Sequence, residues 1–194
     1  MIEKMIFFDF DYTLAKTVEN VWIWSPRGTR THKDKTYRVV NPLEYGVLKL
    51  ADDEHLDSDS FVEFGKLNVN RAKPISLNMF LLDYFMSSES NLITILSARP
   101  QKVEDYIYEF LKLNAVKNYK KIIYKGVDSS DPSKKYDYLK EKVTTFNPKE
   151  VFLFDDSKKV INFARDHFYN DFKNINFTSC LVRNKISSTC LCFE

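Results

Sequence analysis

The sequence predicts an α/β fold, a Rossmann-like three-layer sandwich around a mostly parallel central sheet, with a small flap or cap inserted after the first strand. Three observations carry this prediction. Five short apolar runs, at residues 4–8, 91–96, 121–124, 150–154 and 176–182, have the length and continuity of strands buried on both faces. Four of the five are entered from stretches whose apolar residues recur at helical spacing. Strand and helix therefore alternate, which is the pattern of a doubly wound sheet.

Along the chain, Lys4 to Phe8 forms the first strand and ends in Asp9-Phe10-Asp11-Tyr12-Thr13-Leu14. Residues 15–75 break the alternation. Trp22, Trp24 and the run from Thr36 to Val40 predict a β-hairpin or small flap there, with Pro26-Arg27-Gly28 as turn material. Ser76 to Ser87 is apolar almost all round, which predicts a buried helix. The second strand, Asn91 to Leu96, runs into Ser97-Ala98-Arg99-Pro100, with Pro100 suited to a first helical position. Val103, Tyr106, Ile107, Phe110 and Leu111 then follow the i, i+3, i+4, i+7, i+8 rule. Beyond a third strand, Lys121 to Tyr124, Asp128 to Ser133 is the plainest loop, and Lys134 and Lys135 open a helix marked by Tyr136, Leu139 and Val143. The fourth strand, Glu150 to Phe154, ends in Asp155-Asp156-Ser157. Val160, Ile161, Ala164 and Phe168 mark the helix before the last strand, Asn176 to Val182.

A chain of 194 residues, 44% hydrophobic and 15% aromatic, can bury one sizeable core, so a single domain over 1–194 is expected. No stretch nears the roughly 20 apolar residues that cross a bilayer. Met1-Ile2-Glu3-Lys4 leads straight into a strand-like run with no cleavage-site pattern, and a cytoplasmic protein is expected. Cys180, Cys190 and Cys192 are odd in number and bunched, unlike a secreted disulfide framework, so reduced thiols are expected. One Cys-x-Cys pair is a weak metal motif. The net charge of +2 gives no global field for nucleic acid. Locally, Arg27, Arg30, Lys33, Lys35 and Arg38 crowd one stretch, while Asp52, Asp53, Glu54, Asp57 and Asp59 crowd the next. These are solvated loop charges, or the basic block gathers a polyanion.

In an open parallel sheet, ligands bind beyond the carboxyl ends of the strands, and the polar clusters fall there. Several carboxylates meeting in one crevice repel each other and are costly to desolvate unless a cation offsets them. Mg²⁺ suits such a set, being a hard ion held by one or two carboxylates together with phosphate oxygens. A carboxylate becomes competent toward phosphorus once a metal and a lysine neutralise the phosphoryl group. The second Asp of an Asp-x-Asp pair is placed to exchange a proton with the leaving oxygen. Taken singly, Asp11 and Thr13 are ordinary turn residues, and Asp156 or Ser157 an ordinary helix cap.

Taken together, these stretches resemble the haloacid dehalogenase (HAD) superfamily of phosphotransferases across nearly the full chain. The first signature stands as Phe7-Phe8-Asp9-Phe10-Asp11-Tyr12-Thr13-Leu14, the second as Ile93-Thr94-Ile95-Leu96-Ser97, and the fourth as Val151-Phe152-Leu153-Phe154-Asp155-Asp156. The third is a lysine at a loose distance, and Lys135 fits it better than the adjacent Lys134. The resemblance implies a phosphatase with Asp9 as nucleophile and Asp11 as general acid and then base. It also implies Ser97 and Lys135 on the phosphoryl group, and Mg²⁺ held by Asp9, Asp155 and Asp156 with Asp11 through its backbone carbonyl. Thr13 would support the turn, and Ala98, Arg99 and Lys134 would line the substrate. Asp11 keeps the second acid that the dehalogenase branch lacks.

Arg99 beside Ser97 adds a fork suited to phosphate, and the Asp-x-Asp-x-Thr and Ser-x-Arg pairing is similar to the polynucleotide 3′-phosphatase branch. Trp22 and Trp24 with the basic block could stack a base and clamp a backbone, so a nucleotide or nucleic-acid end is one expected substrate. Tryptophans that pack a hairpin onto the core are the other reading. A small sugar or metabolite phosphate, or an inactive module that kept the fold, are the alternatives.

Overall fold

The computed structural model of the protein describes residues 1–57, 59–183 and 189–193. The chain begins with β1 (Lys4–Phe8) and turns tightly into β2 (Ala15–Lys16). It then forms a small antiparallel sheet of β3 (Val21–Trp24), β4 (Arg30–His32) and β5 (Lys35–Val40), followed by the short helix α1 (Pro42–Val47). β6 (Lys73–Pro74) returns to pair with β2. From there the alternation is regular: α2 (Ser76–Met86), β7 (Asn91–Ser97), α3 (Glu104–Leu113), β8 (Ile123–Gly126), α4 (Pro132–Phe146), β9 (Glu150–Asp155), α5 (Lys158–Asp171) and β10 (Asn176–Arg183). An edge strand, β11 (Thr189–Phe193), closes the described chain.

The main sheet has the order β11-β10-β9-β1-β7-β8, with β11 antiparallel and the other pairings parallel. From β1 the chain winds outward through β7 and β8, then crosses back to β9 on the other side. The order therefore reverses between β1 and β9, and a crevice opens at the carboxyl end of such a junction. Phe8 lies in register with Phe154, so the residues that follow, Asp9 and Asp155, leave the sheet side by side.

β1 shows why the strands read as unbroken apolar runs. Met5 and Phe7 enter one core with Tyr136, Leu139, Val143, Val160, Ile161 and Phe168 of α4 and α5. Ile6 and Phe8 enter another with Met79, Leu82, Phe85, Ile107, Phe110 and Leu111 of α2 and α3. Successive side chains point to opposite faces, and both faces are covered by helices. No helix among the described residues is long and apolar enough to cross a membrane.

The structure adjusts several expectations. The third strand starts two residues later, because Tyr119–Lys121 form a 3₁₀ turn. Pro100 precedes a 3₁₀ turn at Gln101–Val103 rather than opening α3 directly. α2 is buried on one side only: Asn78, Met79, Leu82 and Phe85 face the core, whereas Phe80 and Tyr84 are 66% and 64% exposed. Composition counted its apolar residues, but one layer of sheet can cover only one face of a helix. The insertion is a three-stranded sheet. Its β4–β5 hairpin turns through Lys33 and Asp34, both at positive φ (47° and 62°), a conformation that Asn-Gly adopts more readily. Cys180 is disulfide-bonded, against the expectation of reduced thiols. Cysteine count and spacing carry no information about the β10–β11 register, which sets Cys180 opposite Cys192 in the backbone. The side chains of Cys190 and Cys192 lie outside the described residues.

Candidate active site

The loop after β1 is held from several directions. The carbonyl of Phe10 accepts from the amides of Thr13, Leu14 and Ala15, at 3.3, 3.0 and 3.0 Å. Tyr12 adopts φ 56°, a left-handed conformation costing about 1–2 kcal/mol in a residue with a Cβ. It is retained because its amide donates to the Ala15 carbonyl at 2.7 Å and its hydroxyl to the Thr17 carbonyl at 3.3 Å. Asn78 of α2 donates to the carbonyl of Thr13 at 2.7 Å, tying the loop to the helix beneath. The Thr13 hydroxyl is buried with no hydrogen-bond partner among the described residues, a situation that costs about 1–3 kcal/mol.

At the β1–β9 junction, Lys135 Nζ lies 2.7 Å from Asp9 Oδ1 and 2.7 Å from Asp155 Oδ2. All three groups are buried. Lys135 reaches them from the first turn of α4, which Asp131 caps through the Ser133 amide. Lys134, its neighbour, is exposed. Asp155 Oδ1 accepts the amide of Ser157 at 2.8 Å, and Ser157 caps α5. Asp156 is half-buried and ion-pairs with no side chain among the described residues. One oxygen from each of Asp9, Asp155 and Asp156 falls within 4.8 Å of the others.

Three acids thus face one ammonium. Burial pushes the Asp9 carboxyl up to about 7, with Asp155 and Asp11 adding to the rise and Lys135 opposing it. Burial, together with Asp9 and Asp155, likewise holds Asp156 well above the usual carboxylate range. The same dry setting holds the Lys135 ammonium well above its usual range, because the attraction of Asp155 and Asp9 outweighs desolvation. A hard divalent cation fits this donor set: three carboxylate oxygens converge and one positive charge falls short of theirs. Asp11 does not belong to this cluster by its side chain.

Asp11 belongs instead to a second buried network. Arg99 Nε and Nη2 donate to its two oxygens at 2.8 and 2.7 Å, a bidentate fork, and Thr17 Oγ1 donates to Oδ1 at 2.7 Å. Arg99 Nη2 also donates to Glu19 Oε2 at 2.9 Å and Nη1 to the Lys66 carbonyl at 2.8 Å. The guanidinium is fully buried, so Arg99 faces Asp11 and Glu19 where the sequence placed it on substrate. Ser97, at the end of β7, is buried with its Oγ accepting from the Arg99 amide at 3.1 Å, and the Ala98 carbonyl accepts from Ser129. Gly126 is required here, since a Cβ on it would come 2.5 Å from the Arg99 carbonyl and 2.6 Å from the Gln101 amide. Sequence reasoning passed over Glu19, Thr17 and Asn78. Only Asn78 left a signal, as a polar residue within an apolar helix face that must find a partner.

The flap's basic block pairs with flap acids. Arg27 meets Asp53, Arg30 meets Glu63, Lys33 meets Asp59, Lys35 meets Asp57 and Arg38 meets Glu54, at 2.7, 3.0, 2.8, 2.9 and 2.8 Å. Trp22 is buried, donates through Nε1 to Glu63 and carries Arg30 over its ring at 3.8 Å. Trp24 stacks on His55 with ring centroids 4.6 Å apart. No protein-family model, curated protein or solved structure matches the chain.

Proposed function

We propose that the protein is a Mg²⁺-dependent phosphomonoesterase of the haloacid dehalogenase type, working through an aspartyl-phosphate on Asp9. The observation that carries this reading is the Lys135 ammonium bridging Asp9 and Asp155 at 2.7 Å each, with Asp156 beside them at the reversal point of the sheet. Mg²⁺ held by Asp9, Asp155 and Asp156, with the Asp11 backbone carbonyl, would neutralise the phosphoryl oxygens and the acids together. Lys135 fixes one oxygen of Asp9 and contributes the remaining positive charge toward the phosphoryl group. An Asp9 oxygen attacks phosphorus as the bond to the leaving oxygen breaks, and Asp11, after taking up a proton from solvent, gives it to that oxygen. Water then attacks the same phosphorus, Asp11 takes its proton, and the bond to Asp9 breaks to release inorganic phosphate. Ser97 and the unpartnered hydroxyl of Thr13 are the neutral groups available to the phosphoryl oxygens.

The substrate is a phosphomonoester recognised chiefly at the crevice. The five cations of the basic block from Arg27 to Arg38 pair with flap acids, and Arg30 and His55 lie against the rings of Trp22 and Trp24, so neither the block nor the tryptophans support clamping an extended polyanion. A sugar or metabolite phosphate, or a mononucleotide, suits this site better than a nucleic-acid chain. The test is Mg²⁺-dependent hydrolysis of para-nitrophenyl phosphate by the wild type and by Asp9→Asn. Turnover by the first alone supports the reading, and equal rates in both proteins remove it. Comparison of small phosphates with oligonucleotide 3′-phosphates then decides the substrate class.

A further inference from the structure

We infer that Glu19, acting through Arg99, is a positioning residue for Asp11, so that Asp11 is held in working orientation only while flap segment 64–68 is seated. The inference rests on the phosphatase reading above, because it assigns a purpose to Asp11's orientation. Its evidence is a buried chain of contacts that the reaction itself does not use.

Arg99 is fully buried, and its donors are divided between two structural units. Nε and Nη2 hold both oxygens of Asp11, at the working end of β1. Nη1 donates to the carbonyl of Lys66 at 2.8 Å and more distantly to that of Phe64 at 3.4 Å, both in the flap, while the Phe64 ring lies 4.8 Å from the guanidinium carbon. Glu19 closes the circuit. Its Oε2 accepts from Arg99 Nη2 at 2.9 Å, and its Oε1 accepts the amide of Asn68 at 2.7 Å. A single carboxylate, 6% exposed in its side chain, thereby grips the arginine with one oxygen and the flap backbone with the other.

A buried guanidinium needs all its donors met, and a bidentate fork fixes the plane of the carboxylate it holds. If segment 64–68 lifts, Arg99 loses two carbonyl acceptors and Glu19 loses its amide. The fork on Asp11 then keeps only Glu19 behind it, and Glu19 is itself released from the Asn68 amide, so the direction of the fork is no longer fixed. The geometry of proton exchange at the leaving oxygen is thus set partly from the flap, where Glu19, Lys66 and Asn68 also line an open cleft of about 740 Å³ together with Arg71 and Tyr106.

The leaving group separates positioning of Asp11 from general loss of structure. A para-nitrophenolate leaves without needing a proton, whereas an alkoxide needs one, so damage to the proton donor falls on alkyl phosphates. Steady-state kcat/KM, which ends at departure of the leaving group and excludes the aspartyl-phosphate hydrolysis that both substrates share, is measured for para-nitrophenyl phosphate and for β-glycerophosphate with wild type, Glu19→Gln and Arg99→Lys. Expected is a fall in kcat/KM for the alkyl substrate at least about tenfold greater than for the aryl substrate, within the range that general acid catalysis commands. If Glu19→Gln does not fold, Glu19→Asp, too short to span Arg99 and Asn68 together, carries the same test. Equal losses on both substrates, or none, overturn the inference while leaving the phosphatase reading intact. Wild-type turnover no faster than Asp9→Asn on the aryl substrate overturns both.

Discussion

The crevice and the flap are both assembled from acid–base contacts of about the same length, 2.7 to 3.0 Å, yet their acids are driven in opposite directions. In the flap, Arg38 grips Glu54 through two hydrogen bonds and holds its carboxyl down to about 2. At Asp57, the hydrogen bonds of Lys35 and Tyr37 outweigh a desolvation that acts the other way, with the same result. In the crevice, burial dominates and Asp9 rises to about 7. The difference is chiefly stoichiometry. Glu54 and Asp57 each have a cation of their own, whereas in the crevice three acids converge on one ammonium. A short ion pair by itself therefore says little about function. A surplus of buried charge of one sign says more, because a fold retains it only where something else supplies the balance.

The strongest way to break this comparison is to remove the one cation in the crevice. Lys135→Met should lower kcat by about a hundredfold to a thousandfold, the range seen for losing one electrostatic group at a reacting centre. Lys134→Met, on the exposed neighbour, should leave kcat near wild type. Comparable losses in the two variants would mean that Lys135 owes nothing to its place between Asp9 and Asp155.

Stability should separate the regions next. Arg99→Met leaves Asp11 and Glu19 buried without their cation and should destabilise the fold by about 3–5 kcal/mol in urea unfolding. Arg27→Met, which breaks an exposed flap pair, should be indistinguishable from wild type. A large effect of the surface variant would contradict the role given to burial.

The smallest effects are the pH dependences, and they should run in opposite senses. Asp9, raised from 3.8 to about 7, contributes its stabilisation fully below pH 3.8 and loses it as pH rises through 7. Mg²⁺ needs the carboxylate, so its shift of Tm should be larger at pH 8 than at pH 5.5. Glu54 and Asp57, lowered to about 2, contribute fully above their ordinary 4.5 and 3.8 and lose that as pH falls through 2, in a measure reduced by solvent screening. The protein's two tryptophans, Trp22 and Trp24, both lie in the flap. Intrinsic fluorescence should therefore change between about pH 4.5 and 2, and any step above pH 5 that Asp9→Asn retains belongs to His55 and His32 beside the rings rather than to the crevice. A Mg²⁺ shift independent of pH, or a fluorescence change centred near 7 that Asp9→Asn abolishes, would show that the two regions are not distinct in this way.

Much of this was legible in the chain. The alternation of apolar runs with helical spacing located the strands of the main sheet and their helices, since a strand covered on both faces must be apolar throughout, as Met5 to Phe8 are. The clustering of Asp9, Lys135, Asp155 and Asp156 was also anticipated, because each stands at the end of a strand or the start of a helix, where parallel α/β topology gathers side chains. Other features were hidden for a common reason. Arg99 reads as a phosphate fork until Glu19, eighty residues earlier, is seen to claim it. The basic block of the flap reads as a polyanion surface until the following acidic block folds back onto it. The helix at Ser76 to Met86 reads as buried until the sheet proves to cover one side alone.

The layers, the carboxyl-end clusters and the supply of acids and cations follow from the order of residues, because periodicity and strand-end position are local properties that any compact α/β chain must respect. Which cation each acid receives, and how much water remains beside it, follows from the packing. Those depend on groups far apart in the chain meeting at contact distance, and burial then sets whether a pair is merely satisfied or left with a charge that calls for another partner.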